Sequence, residues 1–339
     1  MSHLDARGTR DNDLVVGDAV PTLVGNDALT LEPNQAVLVA DVPPSRPDGD
    51  VSVAVPGGVG DILQTVVTNK SAAVGAILTA LLLFTAIAAN LVAPYDPSKQ
   101  TPAARLAPPA FMPGGRAEFL LGTDGVGRDL LSRLIYGLRI SLAVSFSAVL
   151  LAIVVGVLFG LFAGYFGGWV DAILMRITDI QLGIPFVVLA LAVLATVKPT
   201  PPVIVVVLSL SAWPIYARVI RATVLAEKGA DYVLAARAVG ARPGRIIFNY
   251  IARNILPPIL IVGTIDIATM VIWEALLGFI GIGIQPPTPS WGNIMADGKE
   301  YILTAWWVAV EPGVAIFITL FSLNLLGDSL QKYIDPRLR

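Results

Sequence analysis

Long apolar stretches without a single charge dominate this 339-residue chain from residue 71 onward. No Asp, Glu, Lys or Arg occurs in residues 71–95, and none occurs in residues 140–170. A helix rises about 1.5 Å per residue, so about 20 apolar residues cross the hydrocarbon core of a bilayer. A lipid-facing barrel would need short segments of alternating polarity, which this sequence does not contain. The sequence therefore predicts an all-α membrane protein.

The same criterion predicts six transmembrane helices. The composition agrees, because the chain is 55% hydrophobic and only 14% charged, whereas a soluble globular protein has about 25% charged residues. Six crossings place both termini on the same side of the membrane. The predicted helices lie at residues 71–95, 141–163, 180–197, 201–217, 256–284 and 301–327.

The distribution of basic residues predicts how these helices are oriented. The connection 218–253 holds seven Lys or Arg residues against two acids, Glu227 and Asp231. Loops rich in Lys and Arg tend to stay in the cytoplasm. We therefore expect this connection and both termini on the cytoplasmic side of the plasma membrane.

The polar segments divide the chain into regions. Residues 1–70 carry ten acidic and four basic residues and no long apolar run, which predicts a mostly disordered, acidic cytoplasmic tail. After the first helix, leucines at helical spacing (Leu130, Leu134 and Leu138) predict an interfacial amphipathic helix that would also accommodate the arginines there. The predicted regions are the tail 1–70, the first transmembrane helix 71–95, an external loop with the interfacial helix 96–139, a core domain 140–330 with five transmembrane helices and a cytoplasmic loop 218–254, and a cytoplasmic C-terminal tail 331–339.

The sequence lacks the residues of most catalytic and cofactor sites. It has no cysteine and one histidine, His3, which excludes thiolate chemistry, Ser-His-Asp triads and histidine-based metal sites. It also has neither a phosphate-binding loop nor a dinucleotide-binding glycine motif. We therefore expect no catalytic residue, metal or cofactor on this chain. The acidic tail ahead of a mildly basic body argues against nucleic acid as a partner.

A short helix is predicted in the middle of the cytoplasmic loop. Asp231 is its predicted N-cap, and Gly240 can end it in a left-handed conformation. A helix with an alanine surface and flanking arginines suits docking into another protein, although an ordinary interfacial helix fits the composition equally well. The residues concerned are Asp231, Tyr232, Ala235, Ala236, Arg237 and Gly240.

Three glycines in the second predicted helix recur at four-residue spacing. Gly156, Gly160 and Gly164 therefore share one helix face. Small residues on one face allow two helices in a membrane to approach closely. We expect tight packing within the chain, with a subunit interface as the alternative.

Two acids lie inside the fifth predicted helix. Asp266 and Glu274 are eight residues apart, which separates them by about 80° around a helix. A charge at the bilayer centre costs about 2.5–3.5 kcal/mol on insertion scales, so both should face protein or a water-filled cavity. They either line a path through the membrane, where they could bind a cationic group, or hydrogen-bond to neighbouring helices and hold the bundle together.

Several blocks of the sequence resemble the permeases of dipeptide and oligopeptide ABC importers, specifically the second of the two permease subunits. In this family the cytoplasmic loop carries Glu-Ala-Ala, three further residues and a Gly; Ala235, Ala236 and Gly240 match, while Leu234 stands in place of the Glu. The resemblance covers about residues 71–339. Its other blocks are LGTDGVGRDLLSRLIYGLRISL (121–142), FIGIGIQPPTPSWGNIMADGKEYI (279–302), AWWVAVEPGVAIFITLFSLNLLGD (305–328) and the ending LQKYIDPRLR.

This resemblance implies a type I ABC importer permease in a bacterial inner membrane. The helix around Ala235 would be a coupling helix that receives motion from an ATPase. The implied partners are a homologous second permease, one or two ATPase subunits that hold ATP and Mg, and an extracytoplasmic peptide-binding protein. The chain itself would be non-catalytic.

The resemblance also implies docking contacts in the external loops, with either the partner permease or the binding protein. A capped, rigid turn explains the same residues without any partner, because Thr123 or Asp124 can cap the helix that follows. The residues concerned are Thr123, Asp124, Arg128, Asp129 and Trp291.

Other readings of the sequence remain open at this point. The same machinery could import nickel, glutathione or another small solute. An ion-coupled secondary transporter would also use acids in the membrane, but it predicts an inverted internal repeat, and no clear repeat is visible. A stand-alone channel would not need the cytoplasmic helix.

Overall fold

The computed structural model describes residues 69–334, and within this part of the chain the structure is helical and contains no strand. The predictions for residues 1–68 and for the last five residues fall outside it. Asn69 caps the first helix by accepting a hydrogen bond from the backbone N–H of Ser71. The main helices are α1 (Lys70–Ile87), α2 (Leu130–Phe166), α3 (Gly168–Gly183), α4 (Phe186–Leu194), α5 (Pro201–Glu227), α6 (Asp231–Ala238), α7 (Leu256–Ile280), α8 (Trp291–Gly298) and α9 (Trp307–Ile334).

Five of these helices, α1, α2, α5, α7 and α9, are long and apolar enough to cross a membrane. A sixth crossing is present if α3 and α4 count as one span, although they meet at 86°. The prediction of one continuous helix at 180–197 is therefore wrong, although the bent pair still provides a candidate sixth span. Pro185 explains the break, because its ring excludes a helical continuation and holds Ile184 in an extended conformation with ψ of 119°.

Helix α2 corrects a second prediction, because it runs without interruption for 37 residues. The expected interfacial helix and the expected span at 141–163 are one element. Its leucine stripe does not face lipid, since Leu130, Leu134 and Leu138 are buried in a cluster with Trp291 and Trp307. The leucine spacing correctly predicted a helix, but the leucines pack against other helices of the chain and not against lipid.

Several boundaries also differ from prediction. Helix α5 continues to Glu227, so the first ten residues of the predicted loop 218–254 are helical. The fifth span ends at Ile280, because Gly281 adopts a left-handed conformation with φ of 94°. The last span begins at Trp307 rather than at residue 301, after a short 3₁₀ turn.

The three glycines of α2 lie against α5, as the prediction of packing within the chain requires. A Cβ at Gly160 would lie 2.7 Å from the carbonyl oxygen of Ala217, and one at Gly164 would lie 2.8 Å from the Cβ of Val224. Gly156 meets Trp213 and Tyr216 in the same way. Any side chain at these positions would push α2 and α5 apart, so the glycines set the distance between the two helices.

Buried side chains form clusters along α2. One end of α2 packs with α8 and the start of α9, and its middle packs with α4, α5 and α7. At the other end, Leu161 and Tyr165 join a cluster that includes Val233 and Ala236 of α6. Helix α2 therefore connects α6 at one of its ends to α8 and α9 at the other.

Candidate functional site

Helix α6 has the compact, fixed ends that a docking element needs. It begins at Asp231, and the N-cap position is Ala230, so the prediction that Asp231 caps the helix is wrong. The C-terminal prediction is confirmed, because Gly240 has φ of 79°. The N–H of Gly240 donates to the carbonyl of Arg237 and the N–H of Ala241 donates to that of Ala236, at 2.9 and 3.0 Å. This pair of bonds is a Schellman motif, which fixes the direction of the chain after the helix.

One face of α6 is buried against the segment that returns to the membrane. Val233 is fully buried and Ala236 is 5% exposed. Both pack in a cluster with Ile246, Ile247 and Ile251, which form a π-helical turn before α7. Ala236 was expected on the docking surface, but its side chain is buried between α6 and the segment that precedes α7.

Hydrogen bonds tie the start of α6 to its neighbours. The Tyr232 hydroxyl donates to the Glu227 carboxylate, and the Asn254 amide donates to the same carboxylate at 2.8 Å. Burial raises the pKa of Tyr232 to about 12, and the hydrogen bond to Glu227 adds to this effect. The hydroxyl therefore keeps its proton at physiological pH and remains a donor.

Tyr165, near the end of α2, contacts one residue of α6 and one residue of the turn that precedes α6. The Lys228 ammonium donates to the carbonyl oxygen of Tyr165 at 2.5 Å. The Arg237 guanidinium lies over the Tyr165 ring, 5.7 Å from its centroid, a geometry typical of a cation–π interaction. Tyr165 therefore joins α2 to α6 and to the turn before it.

The opposite face of α6 is apolar and exposed. Leu234 is 49% exposed and Val239 is 85% exposed, and Ala235 and Ala238 lie between them on the surface. Phe248, in the segment between α6 and α7, is also exposed. Leu234, Ala235 and Ala238 are spaced so that they share a helix face. We call Leu234, Ala235, Ala238 and Val239 the α6 patch. Apolar patches of this kind outside a membrane mark contact sites.

The two membrane acids have different surroundings. Glu274 is 1% exposed, and its Oε2 accepts a hydrogen bond from the Ser141 hydroxyl of α2 at 2.7 Å. Asp266 is 8% exposed and lies beside Tyr216 of α5, and its Oδ2 has no hydrogen-bond partner among residues 69–334. Glu274 therefore connects α7 to α2 through one oxygen, while its Oε1, like Oδ2 of Asp266, has no hydrogen-bond partner among residues 69–334.

The external-loop residues form an ion cluster within the chain. Arg133 is 2% exposed and donates to Asp124 at 2.5 Å and to Asp297 of α8 at 3.1 Å. Arg128 pairs with the same two carboxylates, at 2.6 and 3.0 Å. The cluster fastens the loop before α2 to α8, which lies more than 150 residues later in the chain.

This cluster corrects the expected docking role of most of these residues. Thr123 and Asp124 are fully buried, Asp129 is 3% exposed and Trp291 is 1% exposed. Asp129 caps α2 by accepting from the N–H of Ser132 at 2.8 Å, and the Trp291 indole donates to the carbonyl of Leu134 at 3.0 Å. The expectation that Thr123 or Asp124 caps the helix is wrong, because Asp129 holds the N-cap position. The side chains of Thr123 and Asp124 instead accept hydrogen bonds from backbone N–H groups of the loop. Only Arg128 reaches the surface, at a cleft of about 380 Å³ that Asp297 and Tyr301 also line.

No group of three or more His, Asp or Glu side chains that could hold a metal ion occurs within residues 69–334. Sequence reasoning missed Asp297 and the exposed side chains of Leu234, Ala238 and Val239. The sequence could have indicated Leu234 and Val239 as surface contacts, because they are large apolar residues in a polar loop. Asp297 had none, because its partners are distant in the sequence.

Comparison with protein families identifies this arrangement. Residues 156–339 match the family described as "Binding-protein-dependent transport system inner membrane component". The chain belongs to this family. Residues 60–109 match a second family, the N-terminal transmembrane domain of oligopeptide transport permease C. The α6 patch and its surroundings lie inside the first match of this binding-protein-dependent permease.

Curated relatives cover most of the permease. The di/tripeptide transport system permease protein DppC of Pseudomonas aeruginosa is 40% identical over 87% of this chain and 97% of its own length. The dipeptide transport system permease protein DppC of Escherichia coli K12 is 46% identical over 80% of this chain and 90% of its own length. Both alignments extend far beyond the cytoplasmic loop, so the likeness includes the membrane helices.

A solved structure of the MetNI methionine ABC transporter in an inward-facing conformation has the same fold. The likeness has a TM-score of 0.50 at 22% identity, and it covers 61% of this chain and 98% of that chain. The agreement supports the predicted ABC type I permease architecture of an all-α membrane protein.

Proposed function

We propose that this chain is the permease subunit of an ATP-driven importer for dipeptides and oligopeptides. The observation that carries the proposal is the α6 patch, an apolar surface on a rigidly capped helix outside the predicted membrane spans. The relatives named for di- and tripeptides favour peptides over nickel, glutathione or another small solute as cargo. The chain would work without catalytic residues, because hydrolysis would occur on partner ATPase subunits that hold ATP and Mg.

The α6 patch would dock in a cleft on an ATPase subunit, while a homologous second permease completes the path and an extracytoplasmic binding protein delivers the peptide. Closure of two ATPases around ATP would move two such helices together. Since Tyr165 of α2 contacts Arg237 in α6 and Lys228 just before it, this motion would tilt α2 and the helices packed on it. Rocking of rigid helices gives alternating access.

The test is the substitution Leu234→Asp, with Leu303→Asp as the matched control. Leu234 is 49% exposed in the α6 patch, and Leu303 is 95% exposed near the external ion cluster. A buried, unpaired carboxylate would cost at least about 1.4 kcal/mol of binding, which is tenfold. We expect Leu234→Asp to remove the ATPase from the purified complex and to cut peptide uptake about tenfold.

Both variants should reach the membrane in normal amounts, because each changes a surface side chain. Leu303→Asp should retain the ATPase. Normal ATPase retention and normal uptake in the Leu234→Asp complex would contradict the proposed docking surface. Uptake that persists without ATP and collapses with an uncoupler would point instead to an ion-coupled transporter.

The membrane acids give the proposal a second test, on the path itself. We propose that Asp266, which is the more exposed of the two acids, lies on the translocation path, and that Glu274 holds α2 and α7 together through its hydrogen bond with Ser141. Asp266→Asn should lower uptake about tenfold in an assembled complex, since a hydrogen bond to a charged group contributes about 1.5–3 kcal/mol. Glu274→Gln preserves the acceptor for Ser141, so we expect its uptake to stay within twofold of wild type. The reverse pattern of uptake would exchange the two roles.

A further inference from the structure

An apolar groove lies between the first helix and the rest of the bundle. It has a volume of about 480 Å³ and is walled by residues of α1, α2, α7 and α9. Leu83, Phe146 and Leu323 are among its apolar walls, and Leu83 and Phe146 are each about half exposed in this chain. All four helices are candidate membrane spans, so the groove opens toward the hydrocarbon region.

A single charged residue, Arg139 of α2, lines this groove. Within residues 69–334 Arg139 forms no ion pair, and its one side-chain hydrogen bond is a 3.3 Å contact to the amide oxygen of Asn90. A guanidinium has five N–H donors, so most of them are available to a ligand. An arginine near the end of a membrane span extends its guanidinium to the interface, where lipid phosphates lie.

The positions of the lining residues give the groove a polar end and an apolar end. On α2, Arg139, Leu142 and Phe146 lie on one face and extend the groove about 10 Å along the helix. On α1, Ile87 lies near Asn90 and hence near the Arg139 end, and Thr79 lies two turns further in. A cation at one end of an apolar slot is complementary to a molecule with an anionic head and a hydrocarbon chain.

We propose that the groove binds an anionic phospholipid, with one acyl chain between α1 and α2 and the lipid phosphate on Arg139. A bound lipid would fill the space between α1 and the bundle and neutralise the exposed guanidinium. The shape of the groove selects the acyl chain, and Arg139 selects the charge of the headgroup.

The experiment uses the full chain purified with the subunits that accompany it. The complex is placed in nanodiscs of phosphatidylcholine, and phosphatidylglycerol or phosphatidylcholine with the same labelled acyl chains is titrated in. We expect about fivefold tighter binding of phosphatidylglycerol, because a basic residue near an anionic surface contributes about 1 kcal/mol. Arg139→Gln should abolish this preference while leaving binding of the neutral lipid unchanged.

Two further variants distinguish the role of the Arg139 charge from the role of the open volume of the groove. Ala143→Phe places a ring in the groove and should reduce binding of both lipids, whatever their headgroup. Arg176→Gln removes an exposed arginine from α3, away from the groove, and should change neither. The proposal is overturned if the Arg139→Gln complex retains the preference for phosphatidylglycerol, or if Ala143→Phe binds lipid as wild type does. It is also overturned if side chains of an accompanying subunit fill the groove in the assembled complex.

Discussion

At the scale of single residues, Arg133 is an almost fully buried charge that pairs with two carboxylates. Its side chain is 2% exposed and its guanidinium bonds to Asp124, which is fully buried, and to Asp297. Removal of a buried ion's partner is costly, because the remaining charge has neither water nor a counterion. The cluster therefore stabilises the junction between the external loop, α2 and α8.

We predict that Arg133→Met lowers the stability of the purified protein by about 1–3 kcal/mol, because the buried Asp124 carboxylate loses one of its two cations and keeps only Arg128. Arg218→Met is the control, since Arg218 and its partner Asp179 are 54% and 52% exposed. An exposed pair contributes about 0–1 kcal/mol, so the control should melt close to wild type. Thermal unfolding in mild detergent measures both, and equal melting temperatures would refute the importance of the buried cluster.

The sequence predicted only part of this cluster. Asp124, Arg128 and Arg133 lie within ten residues of one another, so their proximity could be inferred. Asp297 could not, because its contact depends on α8 folding back onto the start of α2. Single-sequence patterns report local periodicity, and they contain no information on which distant carboxylate completes a buried pair.

At the scale of elements, the left-handed cap of α6 leads us to expect that replacing Gly240 impairs transport. A β-branched residue in the left-handed conformation costs about 1–2 kcal/mol, so Gly240→Val should loosen the Schellman motif and misdirect the chain after α6. We expect transport and peptide-stimulated ATP hydrolysis to fall together while membrane insertion is unchanged.

Gly244→Val is the matched control for this prediction. Gly244 lies four residues later, its φ is not positive, and an added Cβ would meet no atom within 4 Å. Uptake and ATP hydrolysis of this variant should stay near wild type. If the two glycine variants behave alike, the left-handed cap is not what matters.

The elements were predictable where the local chain decides the outcome. Gly240 ends α6 because its own backbone conformation requires glycine, and the Gly156 series packs on a helix face that spacing alone defines. The break before α4 was missed because the apolar run around Pro185 masks a local steric effect. The length of α2 was missed because the leucine stripe at its start could face lipid or protein, and only the tertiary contacts decide between them.

At the scale of the whole molecule, the orientation in the membrane can be tested directly. The chain has no cysteine, so a single introduced cysteine is the only thiol. Lys99 and Arg242 are both exposed, the first in the loop after α1 and the second in the loop after α6. A membrane-impermeant maleimide should label Lys99→Cys in intact spheroplasts and label Arg242→Cys only after the membrane is opened. Labelling of Arg242→Cys from outside would invert the predicted topology.

Helix α2 is about 55 Å long by its residue count, well beyond the roughly 30 Å hydrocarbon core. Its first turns are fixed to α8 by buried charges, and its last turn holds α6 through Tyr165. We expect α2 to move as one rigid body, so that a tilt imposed at its α6 end displaces its α8 end in the opposite direction. Under the proposed function, ATPase motion at one end of α2 would then change the external surface at the other end.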